Sequence, residues 1–285
     1  MSAADVGKAA DDRVLPVTRW VAIGVTPFLM IAAVLLFVFP ARTGELFAWP
    51  IAPALSAYVL ASAYLGGIWF FLGVARATAW HHVRRGFPAV VVFAGALLIA
   101  TLLHLDRFSM NLSFVTWFTL YLITPFLVAA VAIVQRPRDP GVADRVDVDI
   151  PRAVRWALAI IGACAFAFGA AIYLAPQLAA SFWAWTLTPL TAQVIGSVLS
   201  LTGVVNVALL WDYRWSSFRI LFQAQLISLV AIAASLIAGR DDLLWDRPMT
   251  PAFICLVATA LVTYLAFTIW CESRMRRASA SVPSA

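Results

Sequence analysis

Eight stretches of this chain are almost free of charge and long enough to cross a bilayer. They are Trp20–Phe39, Ala54–Ala75, Phe87–Leu105, Leu112–Val134, Val154–Leu174, Leu190–Trp211, Phe218–Ala238 and Ala252–Cys271. About 20 apolar residues suffice for a helix to span the hydrocarbon core. Hydrocarbon offers no hydrogen-bond partner, so each stretch must satisfy its own backbone, and that forces helix. Barrel strands would alternate over about 10 residues, and these stretches do not alternate. Only 12% of the residues are charged, against roughly 25% in a soluble domain. The fold class expected is all-α and integral to the membrane, with eight transmembrane helices and the lipid bilayer as first partner.

Arginine and lysine set the orientation. Arg42, Arg107, Arg240 and Arg247 fall between spans on one side, which leaves sixteen of the 20 basic residues for the other. Basic loops stay in the cytoplasm, so both termini are expected there. The net charge of +6 is scattered over short loops with no basic, aromatic-interleaved face, which argues against nucleic acid as a partner. Arginine far outnumbers lysine and alanine is abundant. That composition suggests a GC-rich genome, hence a bacterial inner (plasma) membrane. The first apolar run is longer than a signal-peptide core, so no cleaved leader is expected.

The chain repeats itself. Pro40–Pro53, PARTGELFAWPIAP, aligns with Pro176–Pro189, PQLAASFWAWTLTP, proline on proline and Ala48-Trp49 on Ala184-Trp185. At nearly the same offset Arg19-Trp20 falls on Arg155-Trp156, Trp80 on Trp215, Arg84 on Arg219 and Asp106 on Asp241. Matches of Trp, Pro and Arg in one register predict two four-helix repeats. Four is even, so the repeats are parallel and related by a pseudo-two-fold axis along the membrane normal. The expected organisation is a mobile cytoplasmic tail (residues 1–18), a first repeat (19–134), a Pro- and Asp-rich cytoplasmic linker (135–151), a second repeat (152–274) and a cytoplasmic, disordered C-terminal tail (275–285).

Few residues invite chemistry. Trp49 and Trp185 precede the second and sixth spans, where they either anchor at the interface or line the mouth of a cavity between the repeats. Asn206 and Gln225 lie at similar depth in the sixth and seventh spans and are expected to hydrogen-bond across them. Together these four form a candidate ligand cavity. Asp106 and Asp241 are candidate outward acids, either a carboxylate pair for cation or acid–base work or part of a solvated loop. Ala163, Ala167 and Ala171, beside Gly162 and Gly169, predict a close-packed helix seam. His82 and His104 flank opposite ends of one span, roughly 33 Å apart at ~1.5 Å per residue, and cannot share a metal. No catalytic, cofactor-binding or metal-binding residue is assigned, and no cofactor is expected. The three cysteines, Cys164, Cys255 and Cys271, all lie in apolar spans and read as small buried residues.

FAWPIAPALSA and WAWTLTPLTA resemble a group of bacterial multi-pass membrane proteins carrying a duplicated AWxxxP(x)L(S/T)A pattern. The resemblance covers Ala48–Ala57 and Ala184–Ala192 and implies membrane localisation but no activity. The function expected is a transporter or permease-like protein handling a small molecule or lipid. A non-catalytic structural or accessory subunit, in a homo- or hetero-oligomer, is the alternative. An outward-facing membrane enzyme is the third reading, and the chain carries no nucleotide, metalloprotease or nucleophile-elbow motif to favour it.

Overall fold

The computed structural model describes residues 11–280. Among these residues the regular structure is helical, and the β pairings are three isolated bridges. In chain order the α-helices are α1 (Pro16–Val38), α2 (Thr43–Leu46), α3 (Ala54–Arg76), α4 (Gly86–Leu103), α5 (Leu112–Gln135), α6 (Arg152–Leu174), α7 (Pro176–Phe182), α8 (Pro189–Val207), α9 (Trp215–Ala238) and α10 (Met249–Ala280). Eight of them, all but the short α2 and α7, are long and apolar enough to cross a membrane. This fits a polytopic membrane protein.

The helix starts follow from local chemistry. Pro16, Pro176 and Pro189 open α1, α7 and α8, where a missing N–H leaves no bond unmade. Asn111 caps α5 by accepting from Phe114 N at 2.8 Å, and Thr188 caps α8 by accepting from Thr191 N at 3.2 Å. Pro53 stands at the cap of α3 and has no side chain to offer. The acceptor comes instead from the turn after α9, where Asp242 Oδ2 takes the Leu55 N–H at 2.9 Å.

That long-range cap matches the packing. α1 lies on α3 and α6 lies on α8; α3 also packs along α9, and α8 along α4; α4–α5 and α9–α10 complete the bundle. The central helices α3 and α8 are the most buried, and α10 forms part of the rim. Glycine allows the closest approach. A Cβ at Gly196 would meet Gly169 O at 2.5 Å, and one at Gly203 would meet Phe166 Cβ at 2.6 Å and Gly162 O at 3.1 Å. The expected seam on α6 therefore exists, but it is made by glycines. Ala163, Ala167 and Ala171 are exposed, because a stripe of spacing seven through Gly162 and Gly169 turns them outward.

Some element boundaries recur at an offset of 136 or 135 residues. α1 and α6 start and end 136 residues apart (16 and 152, 38 and 174). The turns Leu105–Arg107 and Arg240–Asp242 are 135 apart (105 and 240). Two of the isolated bridges, Arg13–Ala79 and Asp149–Arg214, keep the same relation.

The tails differ from expectation. Residues 1–10 of the N-terminal tail lie outside the described residues. Asp12–Val14 are held against the α3–α4 loop by Trp80 N to Asp12 O (2.6 Å) and Val14 N to Thr78 O (3.3 Å). At the other end α10 runs to Ala280, and residues 281–285 lie outside the described residues. The linker carries no long helix, yet Val148 and Ile150 are buried and it packs onto the bundle. Of the cysteines only Cys271 is buried; Cys164 and Cys255 are exposed on the apolar flank.

Candidate functional site: a central apolar chamber

A cavity of about 260 Å³ opens in the middle of the bundle, with residues from all eight long helices in its wall. α3 and α8 supply small or slender residues there, among them Ala63, Gly66 and Thr202, which leaves space where two leucine-lined helices would close it. The wall contains no Asp, Glu, Lys, Arg or His. A second, more open hollow of about 500 Å³, between Phe37, Leu65 and Leu226 on the outer flank, has no polar side chain in its wall.

The polar exceptions in the central wall are few and specific. Tyr64 and Tyr121 are both buried and share one hydrogen bond between their hydroxyls, 3.1 Å apart. One bond uses one of two O–H groups, so one proton faces the chamber region without a partner from this pair. Tyr264 also lines the wall, and its hydroxyl accepts from Asn206 Nδ2. Gln225 lines the wall with both its amide nitrogen and its carbonyl oxygen buried and without a hydrogen-bond partner.

Of the four residues expected around a cavity, the structure places Gln225 there and the others elsewhere. The expected Asn206–Gln225 bond is absent: Asn206 is fully buried and bonds to Tyr264 on α10. Trp49 packs against Phe47, Phe108 and Trp117 with ring centroids 4.8–5.2 Å away. Trp185 packs against Trp183 and Phe253 and donates from Nε1 to Ser56 Oγ at 2.9 Å. Both tryptophans are buried, so neither faces lipid as an anchor. They close the bundle end opposite the described termini, while the exposed indoles are Trp20, Trp69, Trp156, Trp211 and Trp245. Asp106 and Asp241 are exposed, paired with their sequence neighbours Arg107 (3.0 Å) and Arg240 (3.8 Å). The acid that works on this face is Asp242, through its cap on α3.

Sequence reasoning missed Tyr64 and Tyr121. Their signal was a tyrosine ten residues into one span and another nine residues into a second (54 to 64, 112 to 121), too deep for the interface where tyrosine usually sits. It also missed the charged cluster on the face that carries the described termini. There Arg214 Nη2 meets Asp139 Oδ2 at 2.8 Å and Asp212 Oδ2 at 2.9 Å. Arg84 reaches Asp139 at 2.7 Å and Arg85 reaches Asp212 at 3.1 Å. Burial is the largest single influence and pushes the Asp139 and Asp212 carboxyls up, but the hydrogen bonds from Arg214, the backbone N–H donors and the arginine charges together outweigh it and hold both below the usual range. Burial works against the Arg214 cation as well, and its bonds to Asp212 and Asp139 more than restore it.

No family model matches the chain, no curated protein matches it, and no solved structure matches it.

Proposed function

We propose that this protein binds, and passes within the membrane, a neutral and mostly apolar small molecule or lipid, held in the central chamber. The observation that carries this reading is Gln225. A buried amide without a partner costs on the order of 1–3 kcal/mol, and this one lines a chamber whose wall is otherwise mostly apolar, with hydroxyls as its remaining polar side-chain groups. An occupant with one hydrogen-bonding group and an apolar body removes that cost, and the Tyr64–Tyr121 hydroxyl pair offers it a second anchor. The wall carries no Asp, Glu, Lys, Arg or His, which favours a neutral occupant over a proton-coupled or ionic one. The two-fold register of helix ends supports a duplicated four-helix unit as the frame, with the chamber between the copies and the pseudo-axis along the membrane normal. Basic-residue bias supports cytoplasmic termini, and composition supports a bacterial inner membrane.

Native mass spectrometry of gently purified protein tests the reading. A co-purified neutral mass is expected in the native chain and should fall ~10-fold in occupancy in Gln225→Leu, the loss of about one hydrogen bond. A chain that carries no such mass, and that Gln225→Leu merely stabilises, refutes it.

The accessory-subunit reading has one observation in its favour: Ala163, Ala167 and Ala171 present a smooth, exposed face on α6. Cross-linking in native membranes that captures a second polypeptide through Cys164, on the same outer side, would shift the weight to it.

A further inference from the structure

Two histidines and an aspartate converge on the face that carries the described termini, away from the chamber. His81 and His82 form the end of a 3₁₀ turn, Trp80–His82, between α3 and α4. The turn is anchored by Trp80, which is fully buried. The N-terminal segment clamps it further. His81 N donates to Asp12 Oδ1 at 3.1 Å, and His81 Nδ1 pairs closely with Asp12 Oδ2. The linker folds back to the same place and delivers Asp144. One Asp144 oxygen lies 3.3 Å from His81 Nε2 and the other 2.7 Å from His82 Nε2.

The hydrogen bonds leave one ring nitrogen over. His81 Nδ1 is taken up by Asp12. His81 is 3% exposed, and its buried Nε2 has no hydrogen-bond partner although an Asp144 oxygen lies 3.3 Å away. A metal ion held between the ring nitrogen and the carboxylate would satisfy both as ligands.

The arrangement favours the metal. One ligand atom from each of His81, His82 and Asp144 lies within 4.8 Å of the others. Tetrahedral zinc with bonds of ~2.0–2.2 Å needs separations of roughly 3.3 Å, so small side-chain rotations suffice. A carboxylate behind the ligating histidine is the usual outer-shell partner, fixing the tautomer and the ring, and Asp12 occupies that place. The nearby cations Arg84 and Arg85 are taken up by Asp139 and Asp212 and do not oppose a metal. Ser216-Ser217 stand 135 residues on, in the first turn of α9. There Asp147 accepts from Ser216 N at 3.0 Å, as Asp12 accepts from His81 N. Serine makes the same backbone-to-carboxylate contact there, so that contact does not require an imidazole.

We infer that His81, His82 and Asp144 bind one divalent transition-metal ion of the zinc class, with Asp12 as the positioning carboxylate and a fourth position open to water. The ion would tie three distant stretches together: the N-terminal segment, the α3–α4 turn and the linker. The inference is independent of the chamber and of what the chamber holds.

The test is calorimetric titration of ZnCl2 alone into full-length, chelator-stripped protein in nanodiscs. The native chain should take up one equivalent. His82→Ala and Asp144→Asn should weaken it by ~100-fold or more, and Asp12→Asn by ~10–100-fold, the range for outer-shell partners. His81→Ser/His82→Ser copies Ser216-Ser217, so it should keep the native unfolding midpoint in chelator while losing the zinc. Zinc should also slow tryptic cleavage after the exposed Arg145 in the native chain and not in that double variant. No uptake by the native chain, or equal uptake by all variants, overturns the inference.

Discussion

Arg214 is the side chain on which two buried carboxylates depend. Its side chain is 3% exposed, and Asp139 and Asp212 are as deeply covered. Removing one partner from such a cluster leaves uncompensated buried charge, at a cost of about 3–5 kcal/mol. Arg214→Met should therefore lower the thermal unfolding midpoint in nanodiscs sharply. Arg214→Lys should recover only part of the loss, because an ammonium cannot fork to two carboxylates as a guanidinium does. A variant as stable as the native chain would remove the cluster from the account of stability. The pH dependence follows from the directions of shift. Asp139 and Asp212 are held below their ordinary values. Their contribution is present in full above the unfolded carboxyl value of ~3.9 and is lost as pH falls through the lower folded values. The unfolding midpoint should be flat from about pH 7 to 5 and fall below about pH 4, and Asp212→Asn should reduce that fall. None of this could be read from the chain. Asp139 stands in a polar, Pro-rich linker that hydropathy marks as solvent, and Asp106 and Asp241, chosen for their register, are exposed beside their own arginines.

At the scale of the helix, length and apolarity were sufficient to place every long apolar helix, and the ends agree to within about four residues except at the end of α10, which runs from the expected Cys271 on to Ala280. The face each helix buries was less legible, because in lipid both faces are apolar and periodicity carries little contrast. The α6–α8 seam is the clearest case. Alanines at spacing four looked like the contact, and Gly162, Gly169, Gly196 and Gly203 make it. The glycines separate two kinds of site. Gly196→Ala drives a Cβ to 2.5 Å from Gly169 O, whereas Gly24 and Gly95 have nothing within 4 Å of an added Cβ. Overpacking typically costs 1–3 kcal/mol, while Gly→Ala in an open helix interior gains roughly 0.5–1 kcal/mol. Gly196→Ala should lower the unfolding midpoint, and Gly24→Ala and Gly95→Ala should leave it equal or higher. Equal effects at all three positions would mean that α6 and α8 do not approach this closely.

For the molecule as a whole, matching residues in one register were visible in sequence, but which helices pair was not. That register predicted two parallel four-helix repeats about a pseudo-two-fold axis and left open which helices pack across them. In the structure α3 takes its second extensive partner from the other half, α9, and α8 takes its own from α4. The α3 cap comes from Asp242, and Trp69 Nε1 on α3 donates to Gln223 on α9 at 3.1 Å. Hydropathy cannot encode that choice, because any apolar helix suits any other; it is set by points such as Gly66, where a Cβ would meet Ala224 O at 2.8 Å. Two halves that exchange their central helices cannot each bury their own, since α3 without α9 exposes Gly66 and the Leu55 N–H, and α8 without α4 loses a wall of the chamber. The linker is a tolerant place to divide the chain, at Gly141, which has φ of 73° and open space around it. Residues 1–141 and 142–285 expressed together should therefore co-purify as one complex, with an unfolding midpoint below the intact chain because the tether is lost. Either half expressed alone should fail to accumulate as a folded monomer. A first half that folds alone, and keeps the hydrogen-exchange protection of α3, would show that α9 is dispensable to it.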